Sequence, residues 1–564
     1  METLDWIVIG LFCLALLGII VWVMRQKQDD SKDYFLGGRD ATWIAIGASI
    51  FASNIGSEHL IGLAGAGASS GMAMAHWEIQ GWMILLLGWV FVPFYSRSMV
   101  YTMPEFLERR YNPQSRTILS LISLISYVLT KVAVTVYAGG LVFQQVFGID
   151  TLWGIDFFWI AAIGLVLITA LYTIFGGMKS VLYTSVLQTP ILLLGSLIIL
   201  VLGFKELGGW DEMMRVCGAV SVNDYGDTMT NLIRSNDDAN FPWLGALIGS
   251  AIIGFWYWCT DQFIVQRVLS GKNEMEARRG TIFGAYLKLL PVFLFLIPGM
   301  IAFALHQKYI GAGGEGFLPM LANGTANADA AFPTLVAKLL PAGVKGLVVC
   351  GILAALMSSL ASLFNSSAML FTIDFYKRFR PETPEKKLVG IGQVATVVIV
   401  ILGILWIPIM RSVGDVLYTY LQDVQSVLAP GIAAAFLLGI CWKRTSAQGG
   451  MWGLISGMVI GLTRLGAKVY YSNAGEVADS TFKYLFYDMN WLFFCGWMFL
   501  FCIIVVIVVS LATEAPTAEK IQGLVFGTAT KEQKASTRAS WNHWDIIHTV
   551  IILAITGAFY WYFW

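Results

Sequence analysis

Charged residues are scarce in this chain. Asp, Glu, Lys and Arg make up 13% of its 564 residues, and the 36 basic side chains balance the 36 acidic ones. Soluble globular proteins carry about 25% charged residues, so this sequence has too few to cover a soluble fold of its size. Uninterrupted apolar runs of roughly 20 residues, the length that crosses a bilayer, take their place. The composition therefore predicts a protein that crosses the membrane many times.

Three further absences narrow the function. The net charge of +0 argues against a nucleic acid as a partner. The 7 cysteines are scattered, mostly inside apolar runs, and show neither CxxC spacing nor a disulfide framework. The 5 histidines form no pair of the kind that holds haem, and the sequence offers no nucleophile–base or metal-ligand cluster. An enzyme is therefore not expected.

The apolar runs and the basic residues between them predict a topology. About fourteen spans are expected, near residues 4–24, 42–66, 74–96, 117–147, 156–176, 181–204, 243–266, 281–305, 343–375, 388–410, 415–441, 447–470, 487–512 and 545–563. Loops on one side hold about 24 Lys and Arg residues against about 10 on the other, and the richer side is expected to face the cytoplasm. Both termini are then external. The lack of a cysteine framework in the external loops favours a bacterial inner membrane over an animal plasma membrane.

Ionisable side chains inside a membrane are costly, so each one is a candidate functional group. Six lie within the predicted spans: Glu58, Glu78, Lys131, Asp261, Lys288 and Asp423. The alternative is that some of them pair with each other and only hold helices together. For an isolated residue of this kind, the two interpretations have equal weight.

The second span contains a run of small and polar residues, GASIFASNIGSEH over 47–59. Such a run makes a poor continuous helix facing lipid, and unwound backbone at that depth is tolerated where it lines a cavity. Interrupted helices of this kind mark binding sites in transporters. The alternative is close helix packing through small residues. The Asn, Glu and His that follow within a turn favour a break.

The ninth span is rich in serine, AALMSSLASLFNSS over 354–367. In a helix the carbonyl of Ala355 lies near the hydroxyls of Ser358 and Ser359, at positions i+3 and i+4. Neutral oxygens grouped in this way suit a hard monovalent cation such as Na⁺. Taken alone, the run is more typical of a packing seam whose serines bond their own backbone.

Another set of residues suits a sugar, which needs polar groups for its hydroxyls and an aromatic face for its ring. Trp77, Glu78, Lys288, Gln422 and the run FWYW at 255–258 supply both kinds. The aromatic run is equally typical of an interfacial belt.

Four stretches carry a resemblance to a known family. They are SNIGSEHLIGLAGAGASSG at 53–71, FWYWCTDQFIVQRVLSGKN at 255–273, AYLKLLPVF at 285–293 and AALMSSLASLFNSSAMLFTIDFYKR at 354–378. Together with IAAAFLLGICWKR at 432–444 they resemble the sodium/solute symporter family, and within it the sodium/glucose cotransporter branch. The similarity runs along nearly the whole chain.

The resemblance implies an all-α polytopic membrane protein with about 14 transmembrane helices, forming a single transporter domain over 1–564. Its core would be a leucine-transporter-type five-plus-five inverted repeat, with repeats at 42–204 and 243–441. One extra helix would precede it at 4–24, and three would follow within 447–563 around a cytoplasmic linker at 513–544. The first and sixth core helices would break near Asn54 and Tyr257.

The resemblance also implies two sets of site residues. The Na⁺ ligands would be the backbone carbonyls of Ala52, Ile55 and Ala355 and the hydroxyls of Ser358 and Ser359. The residues that bind a sugar would be Asn54, His59, Glu78, Tyr257, Trp258, Lys288 and Gln422. Na⁺ is then the coupling ion, and the expected partners are a monosaccharide, Na⁺ and the lipid bilayer. Neither a nucleic acid nor an obligate protein partner is expected.

The chain departs from the family pattern at several positions. Gly254 stands where animal carriers have Thr, and Thr419 where they often have Asp, so the preferred sugar is open. Ser185 stands where the family often has Asp, and Ala361 stands where members that bind two Na⁺ have a hydroxyl residue. These losses predict one Na⁺ per sugar.

The predicted function is Na⁺-coupled symport of a neutral monosaccharide of the glucose or galactose type, by alternating access. An organic anion would call for an Arg in the pocket, and the middles of the core spans have none. Two alternatives remain: Na⁺-coupled uptake of another polyol or small organic solute such as inositol, and a sugar sensor without concentrative transport.

Overall fold

Helices dominate the computed structural model, which describes residues 1–26, 30–56, 58–321, 324–413, 417–473 and 478–564. Ten helices among these residues are long and apolar enough to cross a membrane. The prediction of an all-α polytopic membrane protein is confirmed, and the count of about fourteen spans stays a prediction. The only strands in the described part are two residues long each and form one antiparallel hairpin, β1 (Thr151–Leu152) with β2 (Ile155–Asp156).

The helices of the first half are numbered in chain order. They are α1 (Thr3–Met24), α2 (Trp43–Asn54), α3 (58–70), α4 (75–98, interrupted at 79–80), α5 (Met103–Arg110), α6 (113–147), α7 (Phe157–Leu207) and α8 (Trp210–Gly218). A short helix, Ser31–Leu36, precedes α2. Several of these helices contain a π-helical turn, among them Glu58–Leu63 in α3 and Tyr127–Val132 in α6.

The second half continues the numbering. Its helices are α9 (Trp243–Thr260), α10 (Gln262–Leu269), α11 (Glu274–Gly311), α12 (Ala331–Leu339), α13 (Val344–Phe379), α14 (Glu385–Val413), α15 (Leu417–Cys441), α16 (Ala447–Asn473), α17 (Trp491–Ala512), α18 (Lys531–Ala539) and α19 (His543–Tyr562). Helices α7 and α13 pack along each other over the longest contact of the fold, and α15, α16 and α17 form a bundle of their own.

The first helix break lies where the sequence predicts it. Helix α2 ends at Asn54, and Ile55 is extended with φ −79° and ψ 106°. The amide of Ile55 still bonds the carbonyl of Phe51, but helical bonding does not continue through the carbonyl of Ile55. This break therefore frees a backbone oxygen inside the protein.

The second break differs from the prediction. The sequence places it near Tyr257, whereas the helix continues through a π-helical turn, Phe255–Thr260, and breaks at Asp261 with φ −76° and ψ 128°. The wider turn accommodates the bulky aromatic run, and the Asp261 carboxylate then caps the next helix by accepting from the amide of Phe263. The broken helices are tied together at their other ends, where Ala41, before α2, pairs with Gly271, after α10.

Two glycine positions set how the helices meet. Gly177, with φ +50° and ψ −145°, kinks α7, and this one element holds the two predicted spans 156–176 and 181–204. A Cβ at Gly177 would overlap the carbonyl of Tyr34. Between α3 and α11, a Cβ at Gly299 would overlap the carbonyl of Ala64. Glycine is needed at both places because the backbones come too close for a side chain.

Candidate functional site

A cavity of about 60 Å³ lies beside both helix breaks. All the side chains predicted to bind the cargo line it: Asn54, His59, Glu78, Tyr257, Trp258, Lys288 and Gln422. They come from α2, α3, α4, α9, α11 and α15, and the fold brings together residues that are up to 368 positions apart (422 − 54). The structure thus assembles the whole predicted set around one space.

One wall of the cavity is a chain of polar contacts. Lys288 Nζ lies 2.6 Å from Glu78 Oε2, and His59 Nε2 lies 3.3 Å from the same oxygen. Asn54 Nδ2 lies 3.2 Å from His59 Nε2. All four side chains are buried. Because a buried charge is stable when paired, Lys288 and Glu78 hold each other in place and leave their remaining hydrogen-bonding capacity for a ligand.

Two buried polar atoms at the cavity lack a hydrogen-bond partner among the described residues. Among the described residues, neither His59 Nδ1 nor Gln422 Oε1 has a hydrogen-bond partner, although both are buried. Buried polar groups normally have one, so these two atoms are suited to meet the hydroxyls of a cargo molecule. The side chains of Thr419 and Asp423, which the sequence also singles out, lie outside the described residues.

Another part of the lining is aromatic, and it adjoins the polar wall where Lys288 Nζ lies 5.4 Å from the centre of the Trp258 ring. The rings of Tyr257 and Trp258 lie 4.9 Å apart at 86°, and Tyr257 also contacts Phe263 at 6.2 Å. The Trp258 indole nitrogen donates to Gln80 Oε1 at 3.3 Å. Tyr257 and Trp258 belong to the π-helical turn before the second break and Phe263 follows that break; all three line the cavity instead of forming an interfacial belt.

A second ion pair lies beside Tyr257. Lys131 Nζ is 2.7 Å from Asp261 Oδ2, and Tyr127 donates its hydroxyl hydrogen to the same carboxylate. The ammonium also lies 4.7 Å from the centre of the Tyr257 ring. The pair joins α6 to the second break. Of the six ionisable candidates, four are thus paired with each other.

The predicted Na⁺ residues lie where the first break meets α13. Ser359 Oγ is 2.9 Å from the carbonyl oxygen of Ser53 and 3.2 Å from that of Ile55. Its hydroxyl therefore reaches across to another helix and does not bond its own backbone, which argues against a simple packing seam. Ala52 and Ala355 are both 1% exposed, in α2 and α13. Ser359 lines the cavity as well, so the predicted ion and cargo sites are contiguous.

Hydroxyls surround the other predicted ligand, Ser358. Its Oγ lies 3.3 Å from Ser185 Oγ, which in turn is 3.5 Å from Ser49 Oγ and donates to the carbonyl of Val181 at 2.6 Å. The position that often carries Asp in the resembled family thus places a neutral hydroxyl next to Ser358. Nearby, Ser53 Oγ and Ser362 Oγ are 2.6 Å apart.

Sequence reasoning missed several polar cavity residues, notably Gln80, Thr135 and Gln425. Gln425 follows Gln422 by three positions and Thr135 follows Lys131 by four, so helical spacing predicts that each shares a face with its partner. Gln80 has the weaker signal of an amide inside an apolar run. It lies two positions after Glu78 and shares the cavity only because α4 is irregular at 79–80.

Comparisons with known proteins agree with this geometry. Residues 34–457 match the family described as the sodium:solute symporter family. The chain belongs to that family. Sodium/myo-inositol cotransporter 2 of Homo sapiens is 37% identical over 542 residues, which cover 94% of this chain and 79% of that protein. Sodium/myo-inositol cotransporter of Canis lupus familiaris is 36% identical over 550 residues, covering 93% and 76%.

The fold has a solved counterpart. A Na⁺-coupled sialic acid symporter in a substrate-bound outward-open state superimposes with a TM-score of 0.72 and 21% identity, covering 92% of this chain and 99% of that one. The predicted family and fold class are thereby confirmed. The protein is a Na⁺-coupled symporter of the membrane, and not an enzyme; Na⁺ is its coupling ion and a solute its cargo.

Proposed function

We propose that this symporter carries an uncharged cyclic polyol, a monosaccharide or a cyclitol, by alternating access. The observation that supports this most is that both lysines lining the cavity, Lys131 and Lys288, are already paired. Lys288 lies against Glu78, which also lines the cavity, and Lys131 lies against Asp261. An anionic cargo would need an unpaired cation such as Arg, whereas hydroxyls need the donors and acceptors that these groups offer.

Within this class, myo-inositol is the first candidate and glucose the second. Myo-inositol is named in the relatives that are 36–38% identical over at least 93% of the chain. Glucose fits the aromatic wall, because its ring has an apolar face that stacks on Tyr257 or Trp258. Both molecules are six-membered rings with adjacent hydroxyls.

Coupling follows from the shared position of the two sites. Na⁺ held by the carbonyls of Ala52, Ile55 and Ala355 and the hydroxyls of Ser358 and Ser359 would fix the first break against α13. Asn54, next to Ile55, would then be in place for the cargo. Na⁺ shifts the conformational equilibrium only if it binds one state more tightly than the other. A site formed between two helices meets that condition when the helices separate.

We expect one Na⁺ per cargo molecule, since Ser185 and Ala361 take away oxygen ligands that a second ion would need. A tenfold Na⁺ gradient supplies about 1.4 kcal/mol, and about 100 mV acting on one charge adds about 2.3 kcal/mol. Together they sustain a cargo gradient of roughly a few hundredfold.

Uptake into proteoliposomes tests the proposal. Purified protein is reconstituted, and radiolabelled myo-inositol, glucose, galactose, mannose and sialic acid are offered with an inward gradient of Na⁺ or of choline. We expect accumulation above the external concentration for a neutral polyol, only with Na⁺. Accumulation of sialic acid alone would overturn the neutral cargo. Binding of a polyol without accumulation would instead identify a sensor.

A further inference from the structure

Gln80 occupies an unusual place at the cavity. It lies where α4 is interrupted between the helical segments Ala75–Glu78 and Gly81–Leu86, and its side chain is 3% exposed. The interruption turns Gln80 toward the same cavity that Glu78 lines, although two positions along a regular helix would point about 160° apart. Gln80 is not among the Na⁺ ligands or the cargo-binding residues that the sequence predicts.

The orientation of the Gln80 amide is fixed by its two partners. Its Nε2 donates to the carbonyl oxygen of Ser250 at 2.8 Å, and its Oε1 accepts from the indole nitrogen of Trp258 at 3.3 Å. A carbonyl oxygen only accepts and an indole nitrogen only donates, so the amide does not flip. Gln80 thereby holds Trp258, one of the aromatic side chains that line the cavity.

The Gln80 amide can form two more hydrogen bonds. A glutamine side chain has two N–H hydrogens and two lone pairs, and one of each is used by Ser250 and Trp258. One donor and one acceptor remain on neighbouring atoms at the edge of the cavity. Two adjacent ring hydroxyls, one donating and one accepting, match that pair.

Gly254 makes room for this arrangement. A Cβ at residue 254 would lie 2.5 Å from Gln80 Oε1, 2.9 Å from its Cδ and 3.1 Å from its Nε2. A side chain at 254 and the amide at 80 therefore compete for the same volume. Gly254 is the position at which the resembled animal carriers have Thr, so here the space of that side chain is filled by Gln80.

We propose that Gln80 binds a pair of adjacent hydroxyls on the cargo ring and, with Gly254, sets which polyol is preferred. The inference rests on the proposed polyol function and names the residue that selects among polyols. Gln80 contacts the cargo directly and positions Trp258, while Gly254 acts only by leaving the amide its place.

A double-mutant cycle tests the coupling. Gln80→Ala removes the amide, and we expect the KM for the preferred polyol to rise about tenfold, the loss typical of one good hydrogen bond. Gly254→Ala pushes the amide away and raises KM to a similar extent. In the Gln80→Ala background, Gly254→Ala has no further effect, because nothing remains to be displaced. Independent effects that multiply to about a hundredfold would overturn the proposal.

A deoxy series identifies the hydroxyls. Wild-type protein should discriminate against the analogues that lack either hydroxyl of the bound pair, and Gln80→Ala should take these analogues and the parent polyol with equal KM. Retained discrimination against every analogue would contradict direct contact. Gln393→Ala is the matched control, since this amide on α14 bonds the carbonyl of Ile174 away from the cavity; its KM should not change.

Two outcomes keep the inference separate from the proposed function. Wild-type protein is assayed first, and the absence of uptake for every cyclic polyol would refute the function itself. If Gly254→Ala does not fold, judged by the thermal midpoint of the purified protein, the deoxy series with Gln80→Ala decides alone.

Discussion

At the scale of single residues, the account depends on side chains whose charge is balanced inside the membrane. Lys288 and Glu78 form a pair 2.6 Å apart, with 4% and 3% of their side chains exposed. Removing one partner leaves the other as an unpaired buried charge, whereas removing both does not. The same pair is proposed to hydrogen-bond the cargo, so its effect on folding and its effect on binding can be separated.

We therefore predict different results for one and two substitutions. Lys288→Met should lower the stability of the purified protein by about 3–5 kcal/mol. Glu78→Gln combined with Lys288→Met should restore most of this loss without restoring uptake, because the cargo still lacks its partners. Thermal unfolding and uptake measured on the same preparations check both parts. A double variant that transports like wild type would contradict the assigned role.

At the scale of helices and turns, close backbone approaches explain several glycines. Helix α3 meets α11 where a Cβ at Gly299 would overlap the carbonyl of Ala64. Gly299→Ala should force the helices apart and lower stability by about 1–3 kcal/mol, the usual range for overpacking. Gly311→Ala, at the end of the same helix where a Cβ would meet nothing within 4 Å, is the control and should change the thermal midpoint little.

The kink of α7 at Gly177 gives a second test at this scale. Gly177→Ala places a side chain at φ +50° against the carbonyl of Tyr34, so it should destabilise the protein by more than about 2 kcal/mol. Gly164→Ala in the same helix meets open space and should instead stabilise it by about 0.5–1 kcal/mol. Equal shifts of the thermal midpoint for the two variants would show that the kink does not depend on Gly177.

The two helix breaks and Gln80 show which features a local sequence pattern predicts. The run of small and polar residues around Asn54 predicts the first break correctly, because short-range composition determines whether a helix continues. The second break lies at Asp261, four positions after the prediction at Tyr257, since a π-helical turn absorbs the aromatic run. Gln80 is missed because its role depends on Ser250 and Trp258, residues 170 and 178 positions away. Contacts of that kind leave no local pattern.

At the scale of the whole molecule, the family, the fold and Na⁺ coupling follow from sequence motifs and are confirmed by the comparisons. Three statements stay predictions: both termini are external, the repeats span 42–204 and 243–441, and the membrane is bacterial. The stoichiometry is open to measurement. We expect a reversal potential in proteoliposomes that corresponds to one Na⁺ per cargo molecule; a slope corresponding to two would mean that the hydroxyls around Ser185 hold a second ion.

The central claim is that Na⁺ bound between the first break and α13 drives the uptake. Ser359→Ala removes the hydroxyl that contacts the carbonyls of Ser53 and Ile55. Ser367→Ala is the matched control on the same helix, because among the described residues its buried hydroxyl has no partner. Concentrative, Na⁺-driven polyol uptake in proteoliposomes is the deciding measurement. We predict that it is lost in Ser359→Ala and kept in Ser367→Ala; full accumulation by Ser359→Ala at wild-type Na⁺ dependence would contradict the account.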